Sequence, residues 1–210
     1  MAKYEWQAAQ KRAELSLQTA NTYKILLDIG LHTLVLGRAQ FGMALCHGVE
    51  GAGCGALALA RSQVNNVIER LRAAGYIQHF PRGLLARAAF RRNVGDWDGA
   101  ARDLDEVEEI AEPGPMRLYL CDMALERARL AFARIVAFAP LNGLIDDSPP
   151  KPELPSAEES AKLAAEARVN LATARELIER CGYHRRDEEL AELEAVRDGR
   201  RRFADLPPRV

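Results

Sequence analysis

One motif recurs three times along this chain at matching places. Gly37-Arg38-Ala39-Gln40-Phe41, Ala86-Arg87-Ala88-Ala89-Phe90 and Ala128-Arg129-Leu130-Ala131-Phe132 all read small residue, Arg, apolar residue, any residue, Phe. A second motif alternates with it: Ala, a small or apolar residue four positions on, and another three further. It occurs as Ala9/Ala13/Ser16, Ala60/Val64/Val67, Ala100/Leu104/Val107 and Ala167/Leu171/Ala174. The step from the Ala of one unit to the Phe of the next is 32, 30 and 32 residues. A fixed two-part period is the signature of a repeat array, in which each unit buries its apolar face against its neighbours. Such arrays mostly hold other molecules rather than transform them, so the repeat steers the functional reading.

The apolar spacing is helical nearly everywhere, and period-two alternation is absent. It predicts helices over about 4–20, 25–46, 57–74, 82–93, 97–112, 116–136, 157–181 and 187–198. Trp6, Ala9, Ala13 and Leu17 form one stripe on the first helix. The second is apolar almost all round and therefore well buried. Leu57, Ala60, Val64, Val67 and Leu71 point inward on the third. Gly75 and Gly182 are helix-stop residues, and Pro81 suits a first helical turn. Asp96 and Asp187 are expected N-caps, and Ser156-x-x-Glu159 reads as a capping box. Pro113-Gly114-Pro115 breaks the fifth helix from the sixth.

The Phe-to-Ala distance within a unit is 10 residues in the second, 19 in the first and 35 in the third. The two longer units thus carry insertions, Cys46–Ala56 and Ala137–Pro155, expected to project from one edge. The second holds Pro140, Pro149, Pro150, Pro152 and Pro155 with Asp146 and Asp147, so disorder is expected over 136–156. One domain over 1–203 and a flexible tail over 204–210 complete the organisation.

These units resemble tetratricopeptide (TPR) repeats. Leu36-Gly37 and Leu85-Ala86 match the family's packing dipeptide, while Arg127-Ala128 departs from it at the Leu. Gly95-Asp96-Trp97-Asp98-Gly99-Ala100 resembles its Gly-Asp-aromatic-x-x-Ala turn. Leu84–Ala88 and Gly182–Leu190 look more narrowly like the C-terminal TPR region of bacterial signal-transduction NTPases with a NACHT-type module. The resemblance implies an all-α, right-handed TPR-like helical solenoid of about three helix pairs plus a flanking helix at each end. It also implies that Arg38, Arg87 and Arg129 share one position facing a concave groove, with Phe41, Phe90 and Phe132 one turn along. The chain opens on a second-type helix with no partner before it, which suggests a piece of a longer protein or an atypical cap.

Arginine offers planar bidentate donors for carboxylates and Phe an apolar floor, so this ladder suits an acidic or C-terminal peptide. The competing reading pairs each Arg with a neighbouring-helix acid such as Asp28, Asp122 or Glu126 and puts each Phe in the core. Other chemistry is thinly supported. Gly48–Gly55 is glycine-rich, but no strand precedes it and no Lys-Ser/Thr pair follows, so a flexible turn is expected rather than a phosphate loop. Cys46-His47 with Cys54, and Cys181 with His184, lack the paired spacing of a zinc site. His32, His47, His79 and His184 lie in different units, and no catalytic set stands out. Neither cofactor nor metal is expected. Arg185 and Arg186 stand at the start of the last helix, where a cation is mildly unfavourable.

Among 210 residues, 48% are hydrophobic and 28% charged, with a net charge of −1. A folded soluble body is expected, with no bulk attraction to nucleic acid or anionic membrane. Scattered cysteines read as reduced and cytoplasmic. The expected function is a non-catalytic protein–protein interaction module, the sensor or scaffold arm of a bacterial signalling protein. The alternatives are a small-molecule receptor or enzyme fragment with a pocket at the inserted turns, and a homo-oligomerisation module dimerising through Trp6 and Leu17 of the first helix.

Overall fold

The computed structural model describes residues 2–47, 52–145 and 149–207. The described residues are all-α: α1 (Ala2–Tyr23), α2 (Leu26–His47), α3 (Ala52–Ala74), α4 (Phe80–Val94), α5 (Trp97–Ala111), α6 (Arg117–Ile135), α7 (Ala157–Cys181) and α8 (Asp187–Arg197). Short 3₁₀ turns cover Ile77–His79, His184–Arg186 and Phe203–Asp205.

The helix ends follow from the residues at them. The Asp96 carboxylate accepts the Gly99 amide at 3.0 Å, and the Ser156 hydroxyl accepts the Glu159 amide at 3.2 Å, each satisfying an orphan donor of a first turn. Gly95 and Gly182 close α4 and α7 at φ of 89° and 64°, where a side chain would be strained. Asp187 does not cap α8. It is the first helical residue, with Arg186 at the cap position, because the preceding 3₁₀ turn runs straight into the helix. There its carboxylate favours the helix dipole and bonds the His184 ring at 3.1 Å. Of the expected open turn over Cys46–Ala56, residues 52–56 are helical, because α3 begins at Ala52, and residues 48–51 lie outside the described residues.

Each helix packs on its neighbours in sequence, and α2, α4, α6 and α8 also touch in succession. The alternating small-residue motif lies on the buried faces that make this possible. Ala60, Val64 and Val67 of α3, Ala100, Leu104 and Val107 of α5, and Ala167, Leu171 and Ala174 of α7 are all at most 1% exposed. Small side chains at these points let backbones approach closely, and close-packed interiors tolerate no gap between them. Among the described side chains of α1, only Ala13 and Ala20 are fully buried; Trp6 and Leu17 are half-buried, and Leu15 and Tyr23 are exposed. Helix α2 is long and apolar enough to cross a membrane by length and composition, with mean hydropathy 1.2 over Leu26–Cys46. Its surroundings are those of a core helix: 61% of its most apolar 18-residue window is buried, with α1, α3 and α4 packed around it.

The inserted segment after α6 departs from expectation. Residues 137–145 pack, with Leu141 2% exposed in one cluster with Phe41, Phe90 and Val94. The Leu141 amide donates to the Asn93 carbonyl at 2.9 Å, and the Asn142 amide group donates to the Val94 and Pro149 carbonyls at 2.9 and 3.0 Å. The last carbonyls of a helix lack partners within it, and those of α4 find them here. Residues 146–148 lie outside the described residues. The segment after α8 packs as well: Phe203 is buried, with ring centroids 6.1 Å from Phe132 and 5.9 Å from Phe138, and Leu206 packs against the same cluster, while residues 208–210 of the expected tail lie outside the described residues.

Candidate functional site

The even-numbered helices share one groove of about 890 Å³. Helix α2 contributes Arg38. Helix α4 supplies Arg82 with the apolar strip Leu85, Ala86 and Ala89. Helix α6 adds Tyr119, Asp122, Leu125 and Glu126, and the last turn and α8 add Tyr183, Arg185, Arg186 and Glu189. Trp6 reaches the groove from α1 because α2 carries Gly42 beneath it: a Cβ there would stand 2.4 Å from the indole. That ring therefore takes part in the α1–α2 contact while its half-buried face lines the groove.

Ion pairs fix the groove floor. Arg92 of α4 bonds Glu126 of α6 at 2.6 Å, and Arg129 of α6 meets Glu189 of α8 at 2.9–3.0 Å. Arg186 spans Asp122 and Glu189, both at 2.8 Å. The Tyr183 hydroxyl donates to Asp122 at 3.3 Å, accepts from Arg185, and its ring lies 4.6 Å beneath the Arg185 guanidinium. Cation and ring thus hold each other in place. Burial opposes the charge on Arg186, but Asp122 and Glu189 outweigh it and keep its pKa above the usual arginine value. Burial pushes the Tyr119 phenol up, against the pull of Arg82. Arg38 stands exposed at the rim, yet the groove walls desolvate its guanidinium. Together with Arg186, Arg82 and Arg185 they draw its pKa down.

The arginine ladder separates into three different situations. Arg38 alone lines the groove. Arg87 makes a bidentate pair with Asp103 of α5, with contacts of 2.7–3.2 Å, and Arg91 joins it at 2.8 Å. Asp103 is 2% exposed, and a carboxylate so deep holds its charge only if paired. Arg129, 2% exposed, is spent on Glu189. Phe41, Phe90 and Phe132 are at most 7% exposed and belong to the core; Phe41 and Phe90 meet edge to face at 5.4 Å. The floor expected of these rings is supplied by Leu85, Ala86 and Ala89. Two of the three arginines, Arg87 and Arg129, follow the ion-pair reading, with Asp103 and Glu189 as partners; Asp122 and Glu126 serve Arg186 and Arg92.

Sequence reasoning did not gather Arg82, Tyr119, Tyr183, Arg185 and Arg186 into the site. One signal pointed that way: two arginines at a helix start, against the dipole, need acids from elsewhere, and Asp122 is the acid. A smaller cavity of about 300 Å³ lies by the inserted turn, between Arg61 and Asn65 of α3, Arg91 and Val94 of α4, and Ile145 and Pro149. Among the described residues, no group of three or more His, Cys, Asp or Glu side chains is placed to hold a metal ion. The side chains of His47 and Cys54 lie outside the described residues; His184 bonds Asp187.

No protein-family model, no curated protein and no solved structure matches this chain.

Proposed function

We propose that this chain is a TPR-like helical solenoid serving as a non-catalytic protein–protein interaction module, a cytoplasmic sensor or scaffold arm of a bacterial signalling protein. Two features support the repeat reading: the succession of contacts α2–α4–α6–α8, and the buried small-residue motif at equivalent places on α3, α5 and α7. The observation that carries the functional reading is the groove itself. Four arginines line it beside an apolar strip and two tyrosines, a mixture that suits an extended or helical acidic segment of another protein. Affinity comes from burying apolar side chains against Leu85, Ala86, Ala89 and Tyr119, and register from the guanidinium groups.

Selection of a random-peptide library on the wild-type protein, with an Arg82→Glu/Arg185→Glu variant as counter-target, tests this. Acidic peptides with apolar flanks should be enriched on the wild type and fail to bind the variant. Peptides that bind both equally, or no enrichment, would refute it. A second reading, a small-molecule receptor, is favoured by the cavity of about 300 Å³ at the inserted turn. A metabolite screen read by melting temperature separates the two, since a tight ligand at a hundredfold excess over Kd stabilises by about 2.7 kcal/mol.

A further inference from the structure

We infer that residues 149–155 form a second docking surface, a preformed polyproline II rail that fits a partner domain with an aromatic-lined groove. The inference is independent of the peptide groove and rests on other residues.

Local chemistry dictates the rail's conformation. Pro149, Pro150, Pro152 and Pro155 have φ fixed at about −65° by their rings. Pro149, Lys151 and Leu154 each precede a proline, which drives them out of the helical region toward extended or polyproline II angles. Glu153 alone escapes both constraints. Ser156, where the segment ends, has φ −61° and ψ 163°. Among the described residues, the backbone of 150–155 enters no hydrogen bond, as a polyproline II helix requires. That helix turns once in three residues, so every third side chain shares a face. Exposure follows this period: Pro149, Pro152 and Pro155 are half-buried, whereas Pro150, Lys151, Glu153 and Leu154 are exposed.

The inward ridge is pinned to the body. The Asn142 side chain donates to the Pro149 carbonyl at 3.0 Å, and Pro149 lines the small cavity beside Arg91 and Val94. A Cβ at Gly95 would stand 3.3 Å from the Pro152 ring. At the far end, Ser156 caps α7. The rail is thus held along its length, and a partner need not order it.

Two outward ridges remain, Pro150 with Glu153 and Lys151 with Leu154. Leu154 is 75% exposed, the highest value for a large apolar side chain among the described residues. It stands one ridge from the Pro150 ring on a rigid threefold rod. Aromatic slots read such a rod: flat rings stack on Pro150 and Leu154, and a carboxylate at the slot edge meets the Lys151 ammonium. The rail lies over Gly95 at the end of α4, whereas the peptide groove uses Arg82, Leu85, Ala86 and Ala89 of the same helix. Both surfaces can therefore be occupied together.

The test titrates the full chain with a panel of SH3, WW and EVH1 domains, which share aromatic-lined polyproline II grooves. At least one class should bind, and Leu154→Ala and Pro150→Ala should each weaken it about tenfold, as loss of a central interface contact does. Both side chains are exposed, so each variant should melt as the wild type does. The groove variant Arg82→Glu/Arg185→Glu should bind the domain unchanged. No binding by any class overturns the inference. So does binding that survives both rail variants, or binding lost in the groove variant alone. Backbone relaxation of the labelled chain is a check that needs no partner. Order parameters at Lys151, Glu153 and Leu154 should approach the rigid value of about 0.85, and values below about 0.6 dissolve the rail and overturn the inference.

Discussion

Replacing Arg129 with Leu should cost this protein a large part of its stability, although the sequence motif presents Arg129 as the twin of groove-lining Arg38. Arg129 is 2% exposed and Glu189 6% exposed, with contacts of 2.9–3.0 Å between them. Burial and the neighbouring Arg92 pull the Arg129 pKa down, and Glu189 pulls it back up, so the charge depends on its partner. Removing one member of a buried pair strands the other and typically costs 3–5 kcal/mol. Here Arg186 remains 2.8 Å from Glu189 and offsets part of that, which places the expected loss near the lower bound, about 3 kcal/mol. For a chain of this length that is a fall in Tm of about 6–12 °C. The assay is urea and thermal unfolding followed by circular dichroism. The Arg129→Leu/Glu189→Leu double variant should regain most of the loss, because a buried ion pair replaced by apolar groups of similar volume is close to neutral. Arg82→Ala, at an exposed groove position, should stay within about 0.5 kcal/mol of wild type. An Arg129→Leu protein as stable as wild type, or an Arg82→Ala protein as damaged as Arg129→Leu, would refute the assignment of Arg129 to structure and Arg82 to the surface.

Three further outcomes follow from the packing. Burial pushes the Cys121 thiol up to about 12, so native Cys121 should resist alkylation at pH 8 while exposed Cys46 reacts, as mapped by mass spectrometry before and after unfolding. Because the unfolded thiol ionises near 9 and the folded one near 12, stability should fall as pH rises above 9, and a Cys121→Ala protein should lack that part of the decline. Leu141→Ala should destabilise by about 2–3 kcal/mol and open the segment around residues 137–145 to limited proteolysis; a neutral effect with proteolysis already rapid in the wild type would restore the disordered insertion that composition suggested.

Helices were readable in this sequence because their signals are local: apolar spacing, the Asp96 and Ser156 caps, and the glycines at 95 and 182 lie within a few residues of the ends they set. The buried faces of α3, α5 and α7 were readable for the same reason. What escaped depends on contacts distant in sequence. Composition marks 136–156 as polar and Pro-rich, but it does not show that Leu141 and Asn142 meet the orphan carbonyls at the end of α4, almost 50 residues away. The repeat put Arg38, Arg87 and Arg129 in equivalent registers, yet the guanidinium groups of Arg87 and Arg129 follow the nearest buried acids. Asp103 and Glu189 claim two of the three. The groove's other cations, Arg82 and Arg185, belong to no repeated motif, so no periodicity could assign them to a site.

Chemical-shift mapping of a selected acidic peptide on the isotope-labelled chain asks where the partner sits. If the groove is the binding surface, the largest shifts fall on Arg38, Arg82, Tyr119 and Arg185 and are absent from Arg61, Asn65 and Ile145. Shifts concentrated at those last three residues, with the groove silent, would contradict the account and move the function to the cavity at the inserted turn.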